Sequence, residues 1–447
     1  MARHSSHRCL GAWDGGSEWH GGADLGTVDA PRHRLLRNQK ERSCLFHHVC
    51  FDRRRRGWAY FARPAEFSSA RSFPTGVDIW ARGDFARAAA LSVDHSFAVH
   101  RGGVPSRGAY FSAPLLIKVA ALAPANFGHF LGNAMFPAFE AAWRFFGAAS
   151  LEMRYQLLLA GANQSEGSRR AQQCAGRGAE EARRGAGRGG GAARQRCASH
   201  ARLVGKFAAE LLPGLSDFPL LWEGALADGS EERWVCARSF IVGTGDFGFS
   251  TVHRLLNGTR RRPPKLLWGD FIGRIIRRLD PSRPSDARVQ WGARRSERRC
   301  ALLVVKHGRR AVLSSAYDPL RTHLEATLGI PTHAFEPAAL PVAEQVRIVG
   351  RGAVAFTPDG GVSFICAFLP QGAALVVLGW LERWAWANDP RVRAYYCTPR
   401  QSKLVPCGAA HLGSDCFNLS AVQPCLDDMI ARALKHVQLT WPSLGHA

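Results

Sequence analysis

The chain has no uninterrupted apolar run of about 18 residues or more, so no transmembrane helix is expected and no membrane anchor is visible. Its opening stretch, MARHSSHRCLGAWDGGSEWHGG, has no apolar core, and no signal peptide is expected there. Acidic residues are scarce: 36 Asp and Glu stand against 59 Lys and Arg, a formal charge of +23. Lysine is scarcer still, with seven of those 59 basic positions. An arginine bias in an Ala- and Gly-rich chain suits a GC-rich coding sequence as well as it suits phosphate contacts. The basic residues also gather in runs, at 53–56, 169–202 and 254–299, that lack interleaved stacking aromatics. Nucleic-acid binding needs that interleaving, so nucleic acid is not the expected partner.

What is present describes a globular protein. The 447 residues are 46% hydrophobic and 21% charged, enough for two or three domains with a large core. Cys44 and Cys50 bracket LFHHV and are expected to pair. Cys397, Cys407, Cys416 and Cys425 cluster near the C-terminus, with room for two further disulfides. Three of seven Asn residues, Asn163, Asn257 and Asn418, stand in glycosylation sequons. These features point to the lumen of the secretory pathway, endoplasmic reticulum or Golgi; reduced, buried cysteines are the alternative.

Composition divides the chain. Residues 1–40 are polar and Gly-rich without period, a disordered N-terminal segment. Residues 41–255 offer strands and helices of an α/β domain, interrupted at 161–202 by a Gly/Ala/Arg insertion that cannot build a core. Residues 256–300 read as a basic linker with one amphipathic helix around LLWGDFIGRIIRRL. A second domain occupies 301–400, and 401–447 is a Cys-containing tail. Within 301–380, ALLVVKHG, PTHAFEP, AVAFTP and AALVVLGW read as strands. AYDPLRTHLEATLG, with Leu320, Leu324 and Leu328 at four-residue spacing, PVAEQVRIVGRG and GVSFICAFLP read as helices. Continuous apolar strands alternating with helices predict a parallel, Rossmann-like sheet covered on both faces.

In such a sheet, ligands bind where strands end at their carboxyl edge. Asp359, Gly360 and Gly361 fall there, just before a helix, with Ser363 in its first turn. Glycines let an anion approach backbone amides that the helix dipole has already made attractive. The first strand ends VVKHGRR, which brings Lys306, Arg309 and Arg310 to the same edge. Basic side chains with helix amides make a diphosphate clamp; a solvated basic turn is the plain alternative. A second constellation is NFGHFLGN, where Asn126 and His129 precede a long apolar helix that carries Glu140, with Asn133 one turn on.

Taken together, these stretches resemble glycosyltransferase family 61. CLFHHVCFD with GWAYF, NFGHFLGNAMFPAF, WVCARSFIVG, VVKHGRRAVLS and AEQVRIVGRGAVAFTPDGGVSFICAFLPQGA occur in that family's order. The resemblance implies a GT-B fold, two facing Rossmann-like domains with mostly parallel sheets. The C-terminal domain would hold a nucleotide-sugar donor, UDP-linked, and the N-terminal one a protein or polysaccharide acceptor. It implies inverting transfer without a metal or other cofactor. His129 is then the candidate base with Glu140 in reserve, and Asn126 and Asn133 are substrate contacts. Three positions depart from the family pattern: Asn133 stands for Asp, Lys306 for Arg, and Asp359-Gly360-Gly361-Val362 for His-Gly-Ala-Gly. An inactive relative that still binds nucleotide sugar, another Rossmann enzyme and a basic nucleic-acid-binding protein are the alternatives.

Overall fold

A computed structural model of the chain describes residues 3–11, 18–19, 42–64, 77–78, 94–95, 97–119, 127–159, 209–228, 232–242, 265–281, 300–307, 312, 314–379, 386, 389, 391–397, 405–406, 415–416 and 423–440. It divides into two compact units, Met1–Ala125 with His129–Pro263, and Asn126–Gly128 with Pro264–Ala447. The insertion at 161–202, all three sequon asparagines and Cys407 lie outside the described residues.

The N-terminal unit contains strands β1 (Ser6–Gly11), β2 (Arg42–Asp52), β3 (Gly57–Ala62), β4 (Phe97–Arg101) and β5 (Leu115–Val119), helix α1 (Phe136–Phe146), and strands β6 (Tyr155–Leu159), β7 (Leu221–Trp222) and β8 (Trp234–Val242). They belong to a ten-stranded sheet whose main path runs β7-β6-β5-β8-β2-β1. Strands β5 to β8 pair in parallel, with the fully buried sequences LLIKV and YQLLL in the middle. The sheet turns antiparallel from β8 onward, through β2 to β1 and β3. Parallel pairings still make up most of the sheet, compatible with the expected Rossmann-like architecture. One correction is β1: the segment expected to be disordered supplies a strand in register with β2 from Ser6 to Gly11.

Alternation along these strands sends Phe46, Trp58, Leu116 and Phe240 into the main core. Trp58 stacks on Phe240 at 4.2 Å between centroids. The opposite face carries a smaller cluster of Cys50, Ala59, Phe61 and Cys236. Here the expected Cys44–Cys50 pairing fails. Both residues lie in one extended strand, six positions or about 20 Å apart at ~3.3 Å per residue, far beyond disulfide reach. Cys50 instead bonds Cys236, directly opposite on β8. Cys44 is also disulfide-bonded, and its register partner on β1 is Cys9. Near the C-terminus Cys397 bonds Cys425. These bonds suit an oxidising, non-cytosolic environment. No helix among the described residues is long and apolar enough to cross a membrane.

The C-terminal unit comprises α2 (Lys265–Leu279), β9 (Cys300–Val304), α3 (Asp318–Thr322), β10 (Thr332–Phe335), α4 (Val342–Val349), β11 (Gly352–Pro358), a 3₁₀ helix at Gly361–Phe368, β12 (Ala374–Leu378), β13 (Arg393–Cys397) and α5 (Gln423–Thr440). Its sheet is wholly parallel, in the order β10-β9-β11-β12-β13. Counting from β9, that is 2-1-3-4-5, a doubly wound α/β arrangement. The four strands and the helical connections expected in 301–380 are present, and the amphipathic helix expected in the linker is α2, a part of this unit. The supposed tail also belongs to it: Leu426, Ile430, Ala433 and Val437 of α5 pack into the sheet's core.

Two helices differ from their sequence patterns. Past α3 the chain widens into a π turn over His323–Thr327, which changes the helical phase. Leu320 and Leu324 are buried, but Leu328 is 39% exposed. The segment before Leu369-Pro370 winds as a 3₁₀ helix rather than an α-helix, and its residues from Ser363 to Phe368 are buried.

Candidate functional site

Strands β9 and β11 are neighbours in the sheet, yet the chain leaves them for opposite sides: β9 continues toward β10, and β11 toward β12. At this switch of direction the connections part and leave a crevice at the carboxyl edge. The hydroxyl of Tyr317, a fully buried residue, donates to the Val304 carbonyl at 2.9 Å and reaches the Phe356 carbonyl at 3.5 Å. It thus satisfies main-chain groups where the two strands diverge. Burial pushes its phenol far above the usual tyrosine range.

Both sequence-predicted halves of the clamp begin at this crevice. On the β9 side, Lys306 and Val312 exchange two main-chain hydrogen bonds of 3.0 Å. Arg309 and Arg310 stand between them in the sequence but lie outside the described residues. On the β11 side, Asp359 is 3% exposed and its amide donates to Leu378 O at 3.0 Å. Lys306 Nζ crosses the crevice to the Asp359 carbonyl at 3.2 Å.

The backbone then turns at Gly360 with φ +103° and ψ −174°, a region open essentially to glycine alone. Gly361 opens the 3₁₀ helix, and the Ser363 amide closes its first turn onto Gly360 O at 2.9 Å. Ser363 is fully buried, and its hydroxyl has no hydrogen-bond partner. A second glycine completes the packing. Gly379 has φ +129°, and a Cβ there would collide with the Asp359 carboxylate. Glycine at 379 is thus what allows Asp359 to tuck under the loop.

Of the NFGHFLGN constellation, the residues from Phe127 onward are described. Gly128, which clusters with the C-terminal unit, packs so closely that a Cβ would meet the Phe364 ring and lie 3.0 Å from Gly361 Cα. Phe127 makes an edge contact with Phe368 at 6.3 Å. Phe127 and Gly128 thus pack against the 3₁₀ helix that follows the glycine loop. Asn126 lies outside the described residues. His129 ends a short helical turn over Phe127–His129, and Asn133 lies in the π-helical Phe130–Met135. Glu140, on α1, is 2% exposed and accepts from Arg144 at 2.9 and 3.2 Å. A carboxylate so paired must give up its cation before it can take a proton, which weakens its case as a reserve base.

Three arrangements carry no local signal in the sequence. His307 and Glu336, at the ends of β9 and β10, face each other across the same carboxyl edge at 3.1 Å. Asp389 accepts from Trp268 Nε1 at 3.0 Å and from Arg391 at 2.8 and 3.1 Å, while Arg391 donates to Ala367 O at 2.7 Å. This network ties the end of the 3₁₀ helix to the strand β13 entry and to α2. In the N-terminal unit, Lys118 is 2% exposed near the carboxyl end of β5 and donates to Glu223 at 2.6 Å. Burial lowers the Lys118 pKa, and the Glu223 charge opposes that shift.

A scan against protein-family models finds no match for the chain, and a search of curated proteins finds none either.

Proposed function

We propose that the protein is an inverting glycosyltransferase that moves a sugar from a nucleoside-diphosphate sugar, UDP-linked, to a hydroxyl of a protein or polysaccharide. The observation that carries this reading is the glycine turn at Gly360, set at the β9/β11 switch point beside Lys306, whose Nζ donates to the Asp359 carbonyl. A diphosphate needs main-chain amides without an intervening Cβ and cations to receive its charge, and both begin at this crevice. The ordered resemblance to glycosyltransferase family 61 adds the donor class and the expectation of a GT-B pair of domains working in a secretory lumen.

Inversion is a single in-line displacement. The acceptor oxygen bonds to the anomeric carbon as the bond from that carbon to the diphosphate oxygen breaks. The acceptor proton passes to a base, and the charge on departing UDP is met by amides and by Lys306, Arg309 and Arg310. In this reading His129 is the base, Asn126 and Asn133 contact substrate, and no metal takes part. A second reading has one observation in its favour, since Asn133 stands where the family carries Asp. It is a chain that binds nucleotide sugar without transfer.

Calorimetric titration of UDP tests the clamp. Arg310→Ala is expected to weaken UDP binding about 10- to 100-fold, as a charge-assisted phosphate contact contributes ~1.5–3 kcal/mol. An affinity unchanged from the parent protein would remove the clamp from this crevice.

A further inference from the structure

We propose that the N-terminal unit carries a binding face for an anionic polysaccharide, formed by the Arg53–Arg56 turn and the aromatic side chains around Trp234. The inference is independent of glycosyl transfer, since a chain without catalytic activity would present the same face.

The turn joins β2 to β3, and Asp52 shapes it. That carboxylate is 2% exposed and accepts from the amides of Arg54 at 3.0 Å and Arg55 at 3.3 Å, and from Arg233 Nη2 at 2.7 Å. Its charge is thereby spent inside the protein. The four arginines that follow have no such compensation. Arg54, Arg55 and Arg56 are exposed, and no described carboxylate pairs with them. Arg53 Nε and Nη1 are shielded from solvent and have no acceptor. Sequestered guanidinium groups without an acceptor are costly, and an external anion is the compensation the protein does not supply.

Beside the turn, strand alternation brings together rings that are far apart in sequence. Trp234 lies opposite Asp52 across the β2–β8 ladder. It is half-buried, with the Arg233 guanidinium 4.7 Å from its ring. His100 stacks on Phe61 at 5.5 Å and meets Trp234 edge-on at 5.7 Å, and its Nε2 has no hydrogen-bond partner. Burial, and then the charge of Arg55, hold His100 below the usual imidazole range. On the other flank, a Cβ on Gly108 would touch Cys236 Sγ and lie 3.5 Å from Trp234 Cβ, so the exposed Arg107 adjoins the same cluster. The basic run has no aromatic residue within it, and the fold sets His100 and Trp234 beside its neighbour Phe61.

Two observations favour an acidic glycan over nucleic acid. The floor of the face is the Cys50–Cys236 disulfide, which suits an oxidising compartment outside the cytosol. A single half-buried indole, partly covered by Arg233, offers one stacking surface where a nucleic-acid strand uses successive ones. Guanidinium forks bind carboxylates and sulfate esters as they bind phosphate, so the choice between them rests on these two.

The test measures binding of the full chain to oligogalacturonate, to dextran sulfate and to a single-stranded oligonucleotide of equal charge, over a range of salt. The variant Arg54→Ser/Arg55→Ser keeps the main-chain bonds to Asp52. Arg347→Ser/Arg351→Ser, at exposed positions of the C-terminal unit, removes the same charge elsewhere. The expected result is at least a tenfold loss of affinity for one or both anionic glycans in the turn variant only. Its log–log salt dependence should be shallower by about two, one for each cation removed. An equal loss in the control variant, or none in either, overturns the proposal. So does an oligonucleotide that binds more tightly than both glycans and depends on the same two arginines.

Discussion

If the Gly360 turn receives a phosphate, strain at Gly360 and strain at Gly379 should have separable effects. Gly360 holds φ +103° in the loop itself, and Gly379 holds φ +129° behind it, against Asp359. Alanine at either position is forced into a conformation that L-residues rarely adopt, costing ~1–3 kcal/mol. At 379 the new methyl also overlaps the Asp359 carboxylate, adding about 1–3 kcal/mol of overpacking. Gly379→Ala is therefore the more destabilising, by ~2–6 kcal/mol in total. For a unit of this size each kcal/mol lowers the melting temperature by roughly 2–4 °C. Urea unfolding supplies the stabilities, and UDP titration of the folded fraction supplies the affinities. Gly360→Ala should lose more affinity than stability, because its methyl and any relaxation of the turn intrude where the ligand approaches. If Gly360→Ala is destabilised but binds UDP as the parent does, the turn is only a turn. If Gly379→Ala matches the parent in stability, the placement of Asp359 is wrong.

The Asp389 network gives a stability prediction. Asp389→Ala leaves Arg391 and Trp268 without their shared acceptor and should cost ~3–5 kcal/mol in urea unfolding; a loss under about 1 kcal/mol would contradict the network. The histidines of the N-terminal unit give a pH prediction. Burial, foremost, holds His47, His48 and His100 below the usual imidazole pKa. The unfolded chain therefore takes up protons first as pH falls. Their contribution is fully present above the unfolded value of about 6.5 and is lost as pH drops through it toward the folded pKa values. Melting should occur at a lower temperature at pH 5.5 than at pH 7.5, with the difference reduced in His48→Gln/His100→Gln. A difference of equal size in that variant would assign the pH dependence to other groups.

The C-terminal sheet was the most legible part of the sequence, because strands buried on both faces must be apolar without interruption. ALLVV, AVAFTP and ALVVL are. Strand β13, RAYYC, escaped because it is the sheet's edge: four of its five residues are not fully buried, so it has no apolar run to detect. The glycine loop was legible through its composition, since a strand end followed by Gly-Gly and an apolar helix is a local pattern. The role of Gly379 was not, because its reason is Asp359, 20 positions earlier in the chain. Disulfide pairing fails for a similar cause. Cys50 and Cys44 are close in sequence, but extended backbone separates them, and the partner of Cys50 is 186 residues away. Of the rings beside the 53–56 run, Phe61 is close in sequence, whereas His100 and Trp234 come from β4 and β8, and only strand pairing reveals them.

The proposed reactions are binding of a nucleotide diphosphate in the crevice between β9 and β11 and transfer of its sugar with His129 as base. The most direct measurement is UDP release from UDP-N-acetylglucosamine, UDP-xylose and UDP-arabinose with acceptor mixtures, run alongside UDP titration on the parent protein and His129→Ala. The parent is expected to bind UDP and to turn over one of these donors. His129→Ala should bind UDP nearly as well but transfer ~10²–10⁴-fold more slowly, the usual loss on removing a general base. A parent protein that fails to bind UDP or any of the three UDP-sugars at millimolar concentration would contradict it.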